Sequence, residues 1–167
     1  MNYIKNRIPA IKKVEYFTDG CKQQYKNCKS FLNLCHHKAD FGIEASSSFF
    51  ATSHGKTACD GIGGTVKRMV TNASLQRFDG DHITDALRMY EFCRQKRENK
   101  ETEIEFFFRT KEEIQIVRNK LATRLSLAKT ITGTMKYHNF TTDSKTMIFC
   151  KVVSADSTID LKHNYKK

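Results

Sequence analysis

The stretch that decides the fold runs from residue 14 to residue 68 and has two informative ends. It begins with Val14-Glu15-Tyr16-Phe17-Thr18-Asp19-Gly20 and closes with Phe-Phe-Ala-Thr-Ser-His-Gly-Lys-Thr-Ala-Cys-Asp-Gly-Ile-Gly-Gly-Thr-Val-Lys-Arg at 49–68. Apolar and aromatic residues predict a buried strand at the first end, and the Asp-Gly pair predicts the turn that stops it. Glycines in the second end surround a turn that leads into a helix. Each end places one aspartate, Asp19 or Asp60, at the border of a regular element.

Strand and helix signals alternate along the whole chain. β-Branched and aromatic residues predict strands at 13–18, 43–52 and 102–109, and a two-stranded element at 133–140 and 146–153. Apolar residues at helical spacing predict helices at 22–37, 60–76, 81–96 and 110–129. Gly42 is a candidate stop for the first helix, and Thr110 with Glu113 is a candidate capping box for the last. The alternation places the chain in the α/β class.

Composition indicates a globular protein of the nucleus or cytoplasm, and not a secreted one. Hydrophobic residues make up 39% and aromatic residues 11% of the 167 residues. No apolar run approaches the roughly 18 residues of a membrane span, and the N-terminus has no signal-peptide h-region. The six cysteines lie inside apolar-periodic segments, which predicts reduced and mostly buried thiols.

The charge balance favours an anionic partner. The chain has 29 Lys and Arg against 18 Asp and Glu, a net of +11, and the part up to Phe78 has 12 against 5. A basic surface around an acidic metal site is what a phosphodiester substrate such as DNA requires. Solubility alone explains a basic composition equally well, so the charge by itself leaves both interpretations open.

Asp19 and Asp60 each have a structural and a functional interpretation. Asp19 follows the C-terminal end of an apolar strand, where side chains of α/β proteins point into ligand clefts. Asp60 stands at a helix start, where a carboxylate also accepts hydrogen bonds from unpaired N–H groups. A turn at Asp19 and an N-cap at Asp60 are therefore the alternatives to a shared divalent-metal site.

The neighbours of the two aspartates carry a family resemblance. His54-Gly55-Lys56 and Cys59-Asp60-Gly61 follow the turn Thr18-Asp19-Gly20, and Asp60 comes 41 positions after Asp19. This arrangement resembles the second half of the catalytic core of DDE/DDD transposases and retroviral-type integrases, which share the ribonuclease-H-like fold. The resemblance implies a partial ribonuclease-H-like mixed sheet flanked by helices in residues 1–100. A small C-terminal helix and β appendage at 101–160 and a disordered tail at 161–167 would follow.

The resemblance also implies a chemistry and a set of residues. Asp19 and Asp60 would be the second and third metal-binding acids, sharing Mg²⁺ or Mn²⁺, with His54 and Lys56 as further catalytic residues. Lys56, Lys67 and Arg68 would contact DNA, and self-association is a second expected interaction. The activity would be metal-dependent cleavage and transfer of DNA strands.

One acid of the family pattern is missing. The first acid should lie on an earlier strand, but Glu15, on the same strand as Asp19, is the only acid before Asp19 and cannot replace it. We therefore expect a truncated core that is inactive alone. A non-enzymatic DNA-binding module, or a protein-interaction module using the helices around 81–129, is the alternative.

Three further motifs favour structural roles. Zinc is not expected at Cys35-His36-His37, because no Cys-x-x-Cys pair occurs and Cys21, Cys28 and Cys35 are seven residues apart. The aromatic run at 106–108 is interpreted as core, with a base-stacking platform as the alternative. The glycines at 61, 63 and 64 do not have the spacing of a dinucleotide-binding loop.

Overall fold

The structure, a computed structural model, describes residues 1–50, 58–78, 81–143, 145–153, 159 and 161–165. The chain forms two compact units. The first, here called the sheet unit, consists of Met1–Gly55 and Asn119–Lys167, and the second, the helical unit, of Lys56–Arg118. Among the described residues, no helix has the length and apolar character that crossing a membrane requires.

The sheet unit contains five strands in the order β1-β2-β3-β4-β5. Their bounds are β1 Lys13–Thr18, β2 Glu44–Phe49, β3 Asn139–Thr142, β4 Met147–Lys151 and β5 Leu161–Asn164. Strands β1 and β2 run parallel, and every other neighbouring pair is antiparallel. A mixed sheet combined with helices confirms the predicted α/β class.

Helix α2 (Cys28–Phe41) covers one face of this sheet, and the six-residue helix α1 (Asn2–Arg7) precedes β1. The side chain of Asn27 accepts a hydrogen bond from Ser30 N and caps the start of α2, and Gly42 ends it at φ 66°, where glycine is favoured. Gly42 was the predicted stop. The helix begins later than predicted, because Gln24, Tyr25 and Lys26 donate their N–H groups to Cys21 O in a turn.

The core of the sheet unit lies between α2 and the sheet. Its buried residues are Phe31, Leu32, Leu34, Cys35, Ala45, Phe49, Ile131, Phe140, Ile148, Cys150 and Tyr165. Phe31 stacks on Phe140 with ring centroids 4.4 Å apart. The apolar residues of α2 recur every three or four positions, so this packing follows directly from the helical period.

The helical unit contains α3 (Ala58–Leu75) and α4 (Ala86–Glu98), which pack on each other, and the start of α5 (Lys111–Ser126). Asp85 accepts a hydrogen bond from Arg88 N and caps α4. The predicted capping box of α5 is confirmed: Glu113 N donates to Thr110 Oγ1 over 3.2 Å, and Thr110 N donates to Glu113 Oε2 over 2.9 Å.

The predicted strand at 102–109 is wrong, because these residues are irregular. A strand needs a partner for its backbone groups, and the described elements of this unit are helices. Phe108 instead stacks on Tyr90 at 5.6 Å, while Phe107 is 66% exposed. The core interpretation of the aromatic run is therefore wrong for Phe107.

The C-terminal part of the chain is organised differently from our expectation. Strands β3 to β5 join the same sheet as β1 and β2, so the sheet draws on both sides of the expected boundary near residue 100. Residues 161–164, expected in a disordered tail, form β5, and the buried Tyr165 donates its hydroxyl to Cys28 O. Leu161 and Tyr165 are held by apolar contacts with the core.

Candidate functional site

Asp19 lies directly beyond β1, on an exposed turn. Its Oδ1 accepts a hydrogen bond from Cys21 N at 3.0 Å, and Gly20 follows with φ 73°. This is the geometry of an Asx turn, in which an aspartate oxygen satisfies the backbone two residues later. The predicted turn at Asp19 is thus present in the structure. It uses one of the two carboxylate oxygens as a hydrogen-bond acceptor.

Asp60 lies in the first turn of α3 and is exposed. The partial positive charge of a helix N-terminus favours a carboxylate at this position. Lys67 and Arg68 are exposed on the same helix, seven and eight residues further on. Two helical turns separate Asp60 from Lys67, so the two share one side of α3.

The structure assigns the predicted site residues to different units. Asp19 belongs to the sheet unit, whereas Asp60, Lys67 and Arg68 belong to the helical unit. His54 and Lys56 lie outside the described residues. Within the described part of the chain, no group of three or more His, Cys, Asp or Glu side chains has a metal-binding arrangement.

The surroundings of Asp19 contain a buried lysine that the sequence did not indicate. Lys26 Nζ donates to Tyr137 O at 2.7 Å and to Met135 O at 3.4 Å, and it lies over the rings of Phe49 and Phe140. Burial lowers the pKa of this ammonium group. Lys26 thereby fastens the turn after Asp19 to the segment around residue 136.

Three exposed lysines lie on the chain segments that Lys26 and Asn27 join. Lys22 lies in the turn after Asp19, and Lys29 lies in the first turn of α2. Asn27 links the two segments, because its side chain donates to Lys22 O and accepts from Ser30 N. Lys136 stands between the two residues whose carbonyls bind Lys26. We call Asp19, Lys22, Lys29 and Lys136 the Asp19 surface.

A second polar cluster crosses the sheet on the face opposite α2. Glu15 Oε1 accepts hydrogen bonds from Ser48 Oγ at 2.6 Å and from Asn139 Nδ2 at 3.4 Å. Asn139 Nδ2 also donates to Ser48 Oγ at 2.9 Å. Strand register brings these residues of β1, β2 and β3 together, which the linear sequence could not reveal. The carboxylate of Glu15 therefore links β1 to β2 and β3 by hydrogen bonds.

Cys35 and His37, which raised the zinc question, are buried in the core. His37 Nδ1 lies 2.8 Å from Ile43 O and so carries the proton that this carbonyl accepts, while Nε2 accepts the hydroxyl proton of Tyr16 at 2.9 Å. The Cys35 thiol donates to Met147 O, and burial raises its pKa to about 12. These contacts explain both residues as parts of the fold.

A cleft of about 250 Å³ lies beside α2, near the start of β2 and the end of β3. Its lining residues are Cys35, Lys38, Ala39, Glu44, Thr142, Asp143 and Lys145. Lys38 Nζ and Glu44 Oε1 form an ion pair at 2.8 Å, so the charges of this cleft partly neutralise each other.

Comparison with known proteins gives one informative result. Neither the curated proteins nor the solved structures contain a significant match to the chain. A family model described as a domain of unknown function (DUF8701) matches residues 1–154, and the chain therefore belongs to this family.

Proposed function

We propose that this protein binds DNA and derives from the metal-dependent strand-cleavage and strand-transfer core of a transposase with a ribonuclease-H-like fold. The observation that carries the proposal is the position of Asp19, exposed at the C-terminal end of a strand in a parallel pair. Ligands of α/β sheets bind beyond the C-terminal ends of their strands. β2 ends at the same edge, since Phe50 N donates to Thr18 O.

The donor set of the proposed site consists of carboxylate oxygens. Asp19 and Asp60 supply the hard oxygen ligands that Mg²⁺ and Mn²⁺ prefer. Bound metal would polarise a phosphodiester and activate the attacking hydroxyl. Metal sharing requires the two carboxylates to lie within roughly 4–8 Å of each other.

The absence of the first acid argues against catalysis by this chain alone. Glu15 is engaged with Ser48 and Asn139 on the face of the sheet, which supports its exclusion as the first acid. We propose that the chain binds DNA, with Lys56, Lys67 and Arg68 among its phosphate contacts, and does not cleave DNA alone. A DNA-binding module without any metal is the second candidate, because the Asx turn gives Asp19 a purely structural role.

Binding and metal sharing are tested separately. Anisotropy of a labelled DNA duplex should show binding at about 50 mM salt that weakens strongly by about 200 mM. In amide NMR spectra, substoichiometric Mn²⁺ should broaden the Gly20 and Gly61 signals together. Asp19→Asn should abolish the Mn²⁺ broadening of both signals. Asparagine keeps the side-chain acceptor of the turn, so the fold is retained.

The outcomes separate the two candidates. DNA binding without joint Mn²⁺ broadening, and with unchanged affinity in Asp19→Ala, identifies the module without metal. No binding at low salt rejects both candidates and favours a protein-interaction role.

A further inference from the structure

The positive charge of the protein is concentrated in one unit. The sheet unit contains 17 Lys and Arg against 7 Asp and Glu, a net of +10. The helical unit contains 12 against 11, a net of +1. Nearly all of the excess that favours a polyanionic partner thus belongs to the sheet unit.

Among the described residues, ion pairs are more numerous in the helical unit than in the sheet unit. In the helical unit, six cations form ion pairs with neighbouring acids: Arg77–Asp81, Arg88–Asp85, Arg94–Glu98, Lys96–Glu101, Arg97–Glu105 and Arg109–Glu113. A cation held by a carboxylate exerts a weaker field on an approaching phosphate. In the sheet unit, Lys38 pairs with Glu44 and Arg124 with Asp40. Its lysines Lys22, Lys29 and Lys136 are exposed and form no ion pair with any described residue.

The backbone segments that carry these three lysines are joined by hydrogen bonds. The two hydrogen bonds of Lys26 fix the backbone on both sides of Lys136 beside the turn that carries Lys22. The Asn27 cap fixes the start of α2, where Lys29 lies. Asp19 is the acid among the four residues of the Asp19 surface, which leaves that surface with a net charge of +2.

We propose that the Asp19 surface of the sheet unit is the principal site of contact with the DNA backbone, and that α3 contributes less. This inference rests on the proposed DNA binding and assigns it to Lys22, Lys29 and Lys136. Lysines act on phosphates as flexible point charges, so the contact is independent of base sequence. Because Asp19 belongs to the same surface, a phosphodiester bound by these lysines would lie near the proposed metal ligand.

The test compares two triple variants of the full chain that remove the same charge. The first is Lys22→Gln, Lys29→Gln and Lys136→Gln. The matched control is Lys100→Gln, Lys111→Gln and Arg118→Gln, three exposed cations of the helical unit that are not among the proposed phosphate contacts. The affinity for a labelled duplex is measured across salt concentrations, and circular dichroism verifies that both variants fold.

The expected result is a large effect in the first variant alone. Each lost phosphate contact lowers the slope of log K against log salt by about 0.9, so the slope should fall by about two to three and the affinity by roughly ten- to hundredfold near 0.1 M salt. The control should change the slope by less than about one. A third variant with arginine at positions 22, 29 and 136 should retain the wild-type slope.

Three outcomes overturn specific claims. An equal or larger loss in the control variant overturns the assignment to the Asp19 surface, while the proposed DNA binding stands. The assignment to the Asp19 surface is also overturned if the first variant folds and binds DNA as the wild type does. A wild-type chain that fails to bind at low salt overturns the proposed function itself.

Discussion

The interiors of the two units differ as much as their surfaces do. In the sheet unit, Phe140, Ile148 and Cys150 are completely buried beneath α2, whereas the buried apolar residues described in the helical unit are Val66 and Cys93. Excess charge destabilises a compact state by self-repulsion. The sheet unit, which has a net charge of +10, is the longer of the two and has the larger core, and the burial in this core offsets that repulsion. The comparison links packing to the unit that we propose binds DNA.

The largest test of this comparison is a core truncation in each unit. Phe140→Ala should lower the free energy of unfolding by about 3–5 kcal/mol, because a completely buried ring leaves a cavity among Phe31 and Phe49. Val66→Ala removes two carbons from a smaller core and should lower it by about 1–2 kcal/mol. Urea unfolding of both variants measures the difference. Equal losses would contradict the claim that the sheet unit holds the main core.

A smaller effect should appear at alkaline pH and concern the sheet unit. Burial raises the pKa of Cys35 from 9.0 to about 12, so the unfolded chain loses this proton before the folded chain does. The contribution of the protonated Cys35 thiol to the free energy of unfolding is complete below pH 9. It declines as the pH rises towards 12, by at most about 1.4 kcal/mol per pH unit.

Cys35→Ala isolates this contribution, because alanine cannot titrate. The variant is less stable than the wild type at pH 8, and the difference should shrink between pH 9 and pH 10.5 in urea unfolding. Cys59→Ala is the matched control, since Cys59 is exposed in the helical unit. A constant difference between Cys35→Ala and wild type across this range would show that Cys35 does not titrate differently on folding.

The smallest effect belongs to the ion pairs of the helical unit. Arg94 Nη1 lies 3.3 Å from Glu98 Oε1, and both side chains are more than half exposed. Such a pair contributes roughly 0.3–0.5 kcal/mol, because water screens it and two long side chains lose freedom. A double-mutant cycle with Arg94→Gln and Glu98→Gln measures the coupling, and added salt should reduce it. Coupling above about 1 kcal/mol would mean that these pairs, rather than the small core, hold the unit together.

Local signals predicted the elements whose causes are local. Strand β1 was predicted at its observed bounds, but the prediction that it is buried was wrong, because β1 is an edge strand on which Tyr16 and Phe17 are exposed. Gly42 and the Thr110–Glu113 capping box were predicted correctly because each acts on its own backbone. The strand at 102–109 was wrong because β propensity is realised only beside another strand. Strand β5 was missed because its residues gain order from pairing with β4 and from packing against the core.

The candidate site was predictable only in part. Asp19 lies directly beyond β1 and Asp60 in the first turn of α3, as their positions in the sequence predicted. Because α3 begins at Ala58, however, Asp60 is not its N-cap. Lys26 gave no signal, since a buried lysine and an exposed one look alike in sequence. Its role depends on two carbonyls more than a hundred residues away.

The amino-acid sequence by itself determined the turn at Asp19-Gly20, the caps of α2 and α5 and the net charge of +11. Each of these depends on residues within a few positions, or on composition alone. The tertiary structure decided where the charge resides. Counted along the chain, the part up to Phe78 holds +7 of the charge, but the sheet unit holds +10, because residues from 119 onward return to the sheet formed by β1 and β2. Long-range strand pairing sets that distribution, and local sequence carries no record of it.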